Sequence, residues 1–317
     1  MKAGIVGMGA VGRAAALAAM QRRSASELIL VNRHDEVSRA VALDLGYGTP
    51  ISAPCRISAG TYSDLAGAGI VVVAAGVNER GGGATDRNDP QGRLRLLREN
   101  AAIVRDIVPQ LVEAAPEAVI LMASDPPDPL ADVARMAAPQ AKTVSTGTWL
   151  DSLRFRTHLA EAFAINPRSV KADVLGEHGV SEVLHWSGAT VAGAPWKHVA
   201  GRRGFDQQQL RKRVEDQVRF ANINIIEGIG ASQYGIGIVI ARIIEAVLND
   251  EKIAVPIGSY HPQHEVTYSL PSVLGASGIQ SVIEPMLEPQ EQSALDRSIA
   301  TLRTALRHVA PGIESPA

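Results

Sequence analysis

Gly7-Met8-Gly9-Ala10-Val11-Gly12 follows the apolar run Ala3-Gly4-Ile5-Val6 and opens a helical pattern that continues to Arg22. Glycines at these three places in a strand-to-helix turn have separate tasks. The first makes the tight turn, the second lets the backbone approach a pyrophosphate, and the third lets helix and strand pack closely. The unpaired N–H groups at the start of the helix then face the phosphates. Gly7, Gly9, Ala10, Val11 and Gly12 are therefore candidate cofactor contacts.

Outward from this turn, strand-like runs at 3–6, 28–31, 70–74, 118–122 and 142–145 alternate with helical periodicity at 11–22, 37–45 and 96–115. This βαβ pattern predicts an α/β fold whose N-terminal domain, 1–146, is a Rossmann-type doubly wound parallel sheet. Beyond it, short alternating strands at 172–175, 183–187 and 266–269 mix with helices, which predicts a C-terminal α+β substrate-binding domain over 147–317. Residues 225–248 read as one helix, apolar on several faces and suited to a subunit interface, and 284–310 as an amphipathic C-terminal helix. The Gly, Asp, Asn and Pro-rich segment 79–92 reads as a lid loop.

Composition narrows the class of partner. The 317 residues carry a formal charge of −2 with both signs interspersed, so there is no electrostatic footprint for nucleic acid or an anionic membrane. Small molecules and further copies of the chain are the expected partners. Cys55 is the only cysteine, which rules out an intrachain disulfide and a multi-cysteine metal site, and reads as a small apolar side chain. No metal is expected. The N-terminus enters the first strand without a signal-peptide pattern, and no apolar run is long enough to span a bilayer, so a cytoplasmic location is expected.

The second strand ends in Asn32-Arg33-His34, where an NAD enzyme usually places an acid on the ribose 2′-hydroxyl. A carboxylate there would repel a 2′-phosphate, whereas Asn32 is neutral and Arg33 can pair with that phosphate. The cofactor is thus NADP or NAD, with NADP preferred. Asn32 bonding the hydroxyls of NAD beside a surface arginine is the other reading.

Asp151 and Arg154 are three residues apart and share a helix face, and Gly176-Glu177-His178-Gly179 supplies an imidazole. Arg154 offers a planar, permanently charged fork to a carboxylate, while Asp151 can hold one ring nitrogen of His178 and fix its tautomer. An imidazole so held can give a proton to a ketone, or take one from an alcohol, as hydride moves from or to a nicotinamide. These are the parts of a 2-hydroxy acid dehydrogenase.

In these residues the chain resembles the L-lactate/malate dehydrogenase family nearly end to end. The resemblance rests on the glycine fingerprint, Ala75-Gly76-Val77-Asn78, Gly92-Arg93 before a helix reaching Asn100, Leu150-Asp151-Ser152-Leu153-Arg154, Gly176-Glu177-His178-Gly179, Gly230-Ala231-Ser232-Gln233-Tyr234-Gly235, and Leu270-Pro271-Ser272-Val273-Leu274-Gly275. It implies that His178 is the proton donor and acceptor, Asp151 its partner, Arg154 the carboxylate anchor, Arg93 the loop arginine that polarises the substrate carbonyl, and Ser232 a substrate-pocket hydroxyl. Ala75, Gly76 and Asn100 join the implied cofactor contacts. A small 2-oxo or 2-hydroxy acid as substrate and a homodimer or homotetramer are also implied.

Three departures stand out. The family's Asn-Pro-Val-Asp is Asp125-Pro126-Pro127-Asp128 here, placing an acid beside substrate and nicotinamide ribose. Ionised, Asp125 would favour the oxidised nicotinamide or a cationic substrate group; protonated, it would donate a hydrogen bond. By the family's pattern the Asp125-Pro126 bond is expected to be cis. The lid is similar to the extended loop of L-2-hydroxyisocaproate dehydrogenase, which accepts bulky side chains, and either Arg80 or Arg87 could supply a second substrate arginine. Val180 stands where an acid is common. Asp125 and the lid leave a second reading, a cofactor-binding relative with altered catalysis and a sensing or structural role.

Overall fold

The computed structural model describes residues 1–52, 54–77 and 96–309. Its N-terminal half builds six parallel strands: β1 (Lys2–Val6), β2 (Glu27–Val31), β3 (Arg56–Ala59), β4 (Ile70–Val73), β5 (Val119–Met122) and β6 (Lys142–Ser145). The helices between them are α1 (Ala10–Arg22), α2 (Asp35–Gly48), α3 (Leu97–Ala114) and α4 (Pro127–Ala137). The strands lie in the order β3-β2-β1-β4-β5-β6, so the chain winds outward from β1 in one direction and then in the other.

Strand alternation explains the two helical layers. Ile5, Leu28, Leu30, Ile70 and Val72 point to one face, and Val6, Ile29, Val31, Val71 and Val73 to the other. The first set packs on alanines of α1; the second packs on Val104, Val108 and Leu111 of α3 and Leu130 of α4. A strand buried on both faces reads as a continuous apolar run, as Ile70-Val71-Val72-Val73 does.

The C-terminal half begins with α5 (Trp149–Ala162) and the short strands β7 (Val170–Lys171), β8 (Val174–Leu175), β9 (Val183–Leu184), β10 (Thr190–Val191) and β11 (Ala194–Pro195). Then come α6 (Trp196–Arg202), α7 (Gln207–Arg219), α8 (Ala221–Ile229) and α9 (Tyr234–Leu248). Here Phe155 and Trp186 meet edge to face at 4.6 Å between ring centroids, at the centre of an aromatic and aliphatic core. The chain ends with β12 (Ile253–His261), β13 (Val266–Gly275), β14 (Gly278–Val282) and α10 (Pro289–Arg307).

Two expectations need correction. Residues 225–248 are not one helix: α8 and α9 meet at 114°, and Gly230, with φ +85°, caps α8 in a left-handed conformation. The bend lets α9 lie across α1, where a Cβ on Gly237 would come within 3.0 Å of the Ala14 backbone. The short strand expected at 266–269 within the C-terminal domain is part of a long hairpin, β12 with β13, that adds to the parallel sheet. Gly258 of β12 pairs antiparallel with Ser145 of β6, and the sheet runs to nine strands. Among the described residues, no single helix is long and apolar enough to cross a membrane.

Candidate active site

A cleft opens at the carboxyl ends of β1, β4, β5 and β6, where the winding direction reverses. Its cofactor wall is the glycine turn. Gly7 has φ +99°, and a Cβ on it would lie 2.5 Å from the Ala75 nitrogen. A Cβ on Gly12 would lie 1.9 Å from the Gly7 carbonyl oxygen. Gly9 differs, because a Cβ there meets no atom within 4 Å and would project into open space. Gly9 also caps α1 without a side-chain bond, and no acid occupies the first turn. The helix start is therefore left for an anion, and the turn fits a dinucleotide pyrophosphate.

Asn32 turns back onto this turn. Its Oδ1 accepts the Met8 N–H at 3.1 Å and its Nδ2 donates to the His34 carbonyl at 3.1 Å, while Arg33 is exposed beside it. Asn100, buried on α3, acts as a clamp: Oδ1 accepts the Val77 N–H at 2.8 Å and Nδ2 donates to the Asp125 carbonyl at 2.7 Å. A Cβ on Gly76 would press against the same amide at 3.0 Å. Gly76 and Asn100 line the cleft with Gly9, Ala10 and Val11, and Ala75 backs Gly7. The Asp125-Pro126 bond is cis, and Asp125 lines the cleft.

The chemical wall comes from the C-terminal half. Asp151 on α5 bridges two partners: Oδ1 accepts from Arg154 Nη1 at 2.8 Å, and Oδ2 lies 2.5 Å from His178 Nδ1. All three side chains are largely buried, with Asp151 only 2% exposed, so both contacts are charge-assisted in a place poor in water. Arg154 Nη2 lies 3.5 Å from Ser232 Oγ, on the turn after α8. His178, Arg154, Ser232 and Asp125 thus line one cleft with the glycine turn.

The loop bearing His178 is fixed from three sides. Gly176, at φ +81°, exchanges backbone hydrogen bonds with Ser269 of β13, both at 2.9 Å. The Glu177 N–H donates to Ser298 Oγ of α10 at 2.8 Å. The His178 N–H donates to Asp128 Oδ2 at 2.8 Å, and Asp128 Oδ1 accepts from Ser145 Oγ at 2.5 Å. Burial pushes the Asp128 carboxyl up to about 6 against these hydrogen bonds. Val180, in the acid's place, exposes its side chain and accepts from Arg219 Nη1 through its carbonyl at 2.9 Å.

Sequence reasoning misses Asp128 and Ser145 as site residues because Asp128 acts on a backbone N–H and Ser145 acts only through Asp128, which leaves no trace in side-chain spacing. Asn222, buried on α8, also lines the cleft, and nothing in the sequence singles it out. Asn78, Arg80, Arg87 and Arg93, together with the lid reading of 79–92, lie outside the described residues. Among the described residues, no group of three His, Cys, Asp or Glu side chains could hold a metal ion.

The chain matches two family models: the lactate/malate dehydrogenase NAD binding domain over residues 1–146, and the lactate/malate dehydrogenase alpha/beta C-terminal domain over residues 148–311. It is 41% identical over 304 residues to an L-lactate dehydrogenase of Deinococcus radiodurans, covering 96% of this chain and 97% of that one. It is 42% identical over 312 residues to an L-lactate dehydrogenase of Thermus aquaticus, covering 96% and 98%. Among solved structures, the minor L-lactate dehydrogenase of Enterococcus mundtii superposes with a TM-score of 0.90 at 32% identity, with 98% of each chain covered. A lactate dehydrogenase from a Medee basin deep-sea metagenome superposes with a TM-score of 0.89 at 31% identity, covering 97% and 98%. With a nucleotide turn and a histidine–aspartate pair facing one cleft, the chain belongs to the lactate/malate dehydrogenase family and is an NAD(H)-linked 2-hydroxy acid dehydrogenase.

Proposed function

We propose that His178 exchanges the proton, Asp151 holds and charges the imidazole, and Arg154 with Ser232 grips the carboxylate of a small 2-oxo or 2-hydroxy acid. The observation that carries this reading is the 2.5 Å approach of His178 Nδ1 to Asp151 Oδ2, with Arg154 on the other oxygen of the same carboxylate. With Nδ1 committed to Asp151, Nε2 is the ring nitrogen that carries the exchanged proton. Asp151 favours the imidazolium that protonates a 2-oxo group, and the same pair accepts the proton when a 2-hydroxy acid is oxidised. The nicotinamide cofactor, when bound, donates or accepts the hydride at C2. Burial of the pair excludes competing water and strengthens each charge-assisted contact.

Two finer points belong to the same proposal. NADPH is preferred over NADH: the second strand ends without a carboxylate, the Asn32 amide is engaged with Met8 and His34, and Arg33 is exposed at that end. The protein works as a cytoplasmic homodimer or homotetramer, a reading supported by the exposed apolar side chains Leu43, Tyr47, Tyr234 and Ile238 on α2 and α9. The test is an assay of purified protein with NADH and NADPH against a panel of 2-oxo acids, beside His178→Asn. The variant should keep cofactor affinity and lose roughly 10²-fold or more in kcat, the scale of a positioned general acid. Near-normal turnover in that variant would overturn the role given to His178.

A further inference from the structure

Behind the histidine–aspartate pair sits a carboxyl group that the chemistry above does not use. Glu182 lies four residues after His178, in the segment that leads into β9, and is only 5% exposed. Its main chain is held at both ends: its N–H donates to the Gly179 carbonyl at 3.3 Å, and its carbonyl accepts from Arg219 Nη2 at 3.3 Å. Its side chain is not so provided for. Oε1 is buried and has no hydrogen-bond partner among the described residues. A buried carboxylate oxygen without a donor is costly, whereas a neutral acid tolerates the place far better.

The charged groups around Glu182 come from three elements: Asp151 and Arg154 on α5, His178 on the loop, and Arg219 on α7. We infer that Glu182 is a positioning residue for the catalytic pair: a buried carboxyl on the same loop as His178, with one oxygen lacking a donor among the described residues, whose charge acts through Asp151 on the charge of the imidazole. The inference rests on the reading of His178 as the proton exchanger. Burial, and then the negative charge of Asp151, push the Glu182 carboxyl up to about 8, while Arg219, His178 and Arg154 pull the other way. The coupling is reciprocal. An ionised Glu182 favours the imidazolium of His178, so loss of the histidine proton with rising pH is resisted once Glu182 has given up its own.

Reduction of a 2-oxo acid needs the imidazolium, so the alkaline limb of its pH profile reports this coupling. In the parent that limb is extended and shallower than a one-proton fall. In Glu182→Gln, which keeps size and removes the titration, it should become a one-proton fall with its midpoint lower by about one pH unit, while kcat/KM below pH 6 stays near the parent's. Superimposable profiles would overturn the inference. So would an equal loss at every pH, since that is what a purely structural role produces. Carboxyl-carbon NMR of parent protein labelled on glutamate gives a second readout that needs neither turnover nor the variant. One glutamate should titrate near pH 8, and titration of every glutamate below pH 6 would overturn the inference. A parent inactive on every 2-oxo acid would instead strike the catalytic reading and leave the NMR result standing.

Discussion

Replacing Asp128 by Asn separates charge from hydrogen bonding at the point where the His178 loop meets the sheet. Asp128 is fully buried, and desolvation raises its carboxyl from 3.8 to about 6. A shift of that size, at 1.36 kcal/mol per pH unit, corresponds to about 3 kcal/mol of penalty on the ionised form in the folded protein. The direction follows from the raised value. The folded state binds this proton more tightly than the unfolded chain, so the group's contribution is fully present below pH 3.8 and is lost as pH rises through about 6. Asn can keep both contacts, with its oxygen accepting the His178 N–H and its amide donating to Ser145 Oγ. It therefore imitates the protonated acid. At pH 7.5 the variant should be more stable than the parent by up to about 3 kcal/mol, less whatever charge assistance the two bonds lose, and the difference should shrink to about 1 kcal/mol by pH 4.5 and vanish only below pH 3.8. Urea denaturation of both proteins between pH 4.5 and 8 measures this directly. A difference that does not vary with pH would refute the reasoning. Asp128→Leu provides the opposite limit, since it orphans two buried donors at about 1 to 3 kcal/mol each and frees the loop that carries His178.

Three further outcomes follow from the site geometry. Arg154→Lys should raise KM for the 2-oxo acid by roughly 10- to 100-fold with a smaller change in kcat, because an ammonium keeps the charge but loses the planar fork; unchanged kinetic constants would place Arg154 outside substrate contact. Gly9→Ala should leave thermal stability nearly unchanged while weakening cofactor binding in a fluorescence titration, whereas Gly12→Ala, whose Cβ would sit 1.9 Å from the Gly7 oxygen, should cost about 1 to 3 kcal/mol of stability. For the cofactor preference, kcat/KM with NADPH should exceed that with NADH by around tenfold or more in the parent, fall toward parity in Arg33→Ala, and reverse in Asn32→Asp. A parent that prefers NADH tenfold would show that Arg33 does not meet the 2′-phosphate.

How much of this was legible in the sequence depended on how local the signal was. The glycine turn, the βαβ alternation and the Asp151, Arg154 and His178 chemistry could be read because spacing, residue type and task coincide within a few positions. Strand β3 escaped because Arg56-Ile57-Ser58-Ala59 is a short sheet edge that is nowhere fully buried, and so carries no apolar run. The break between α8 and α9 was hidden by apolar periodicity that continues across Gly230, although the Gly-Ala-Ser-Gln stretch beside it contains the turn. Asp128 eluded the reading because its partner is a backbone N–H fifty positions away. Glu182 did so because its character comes from what surrounds it in space and not from its neighbours in the chain.

The seam between β6 and β12 has a consequence for how this protein could be recombined. Gly258 lies so close to β6 that a Cβ on it would come within 1.8 Å of Ser145 Oγ, and that same Ser145 bonds Asp128, which in turn holds His178. Asp132 of α4 fastens the far side of the junction by accepting both the Thr267 N–H and its hydroxyl, at 2.8 and 2.7 Å. The two family modules are therefore not interchangeable cassettes. A chimera that took its nucleotide half from one relative and its substrate half from another would have to carry Ser145, Gly258, Asp128, Asp132 and Thr267 as one matched set, or the graft would misalign the catalytic loop before any substrate specificity could be compared.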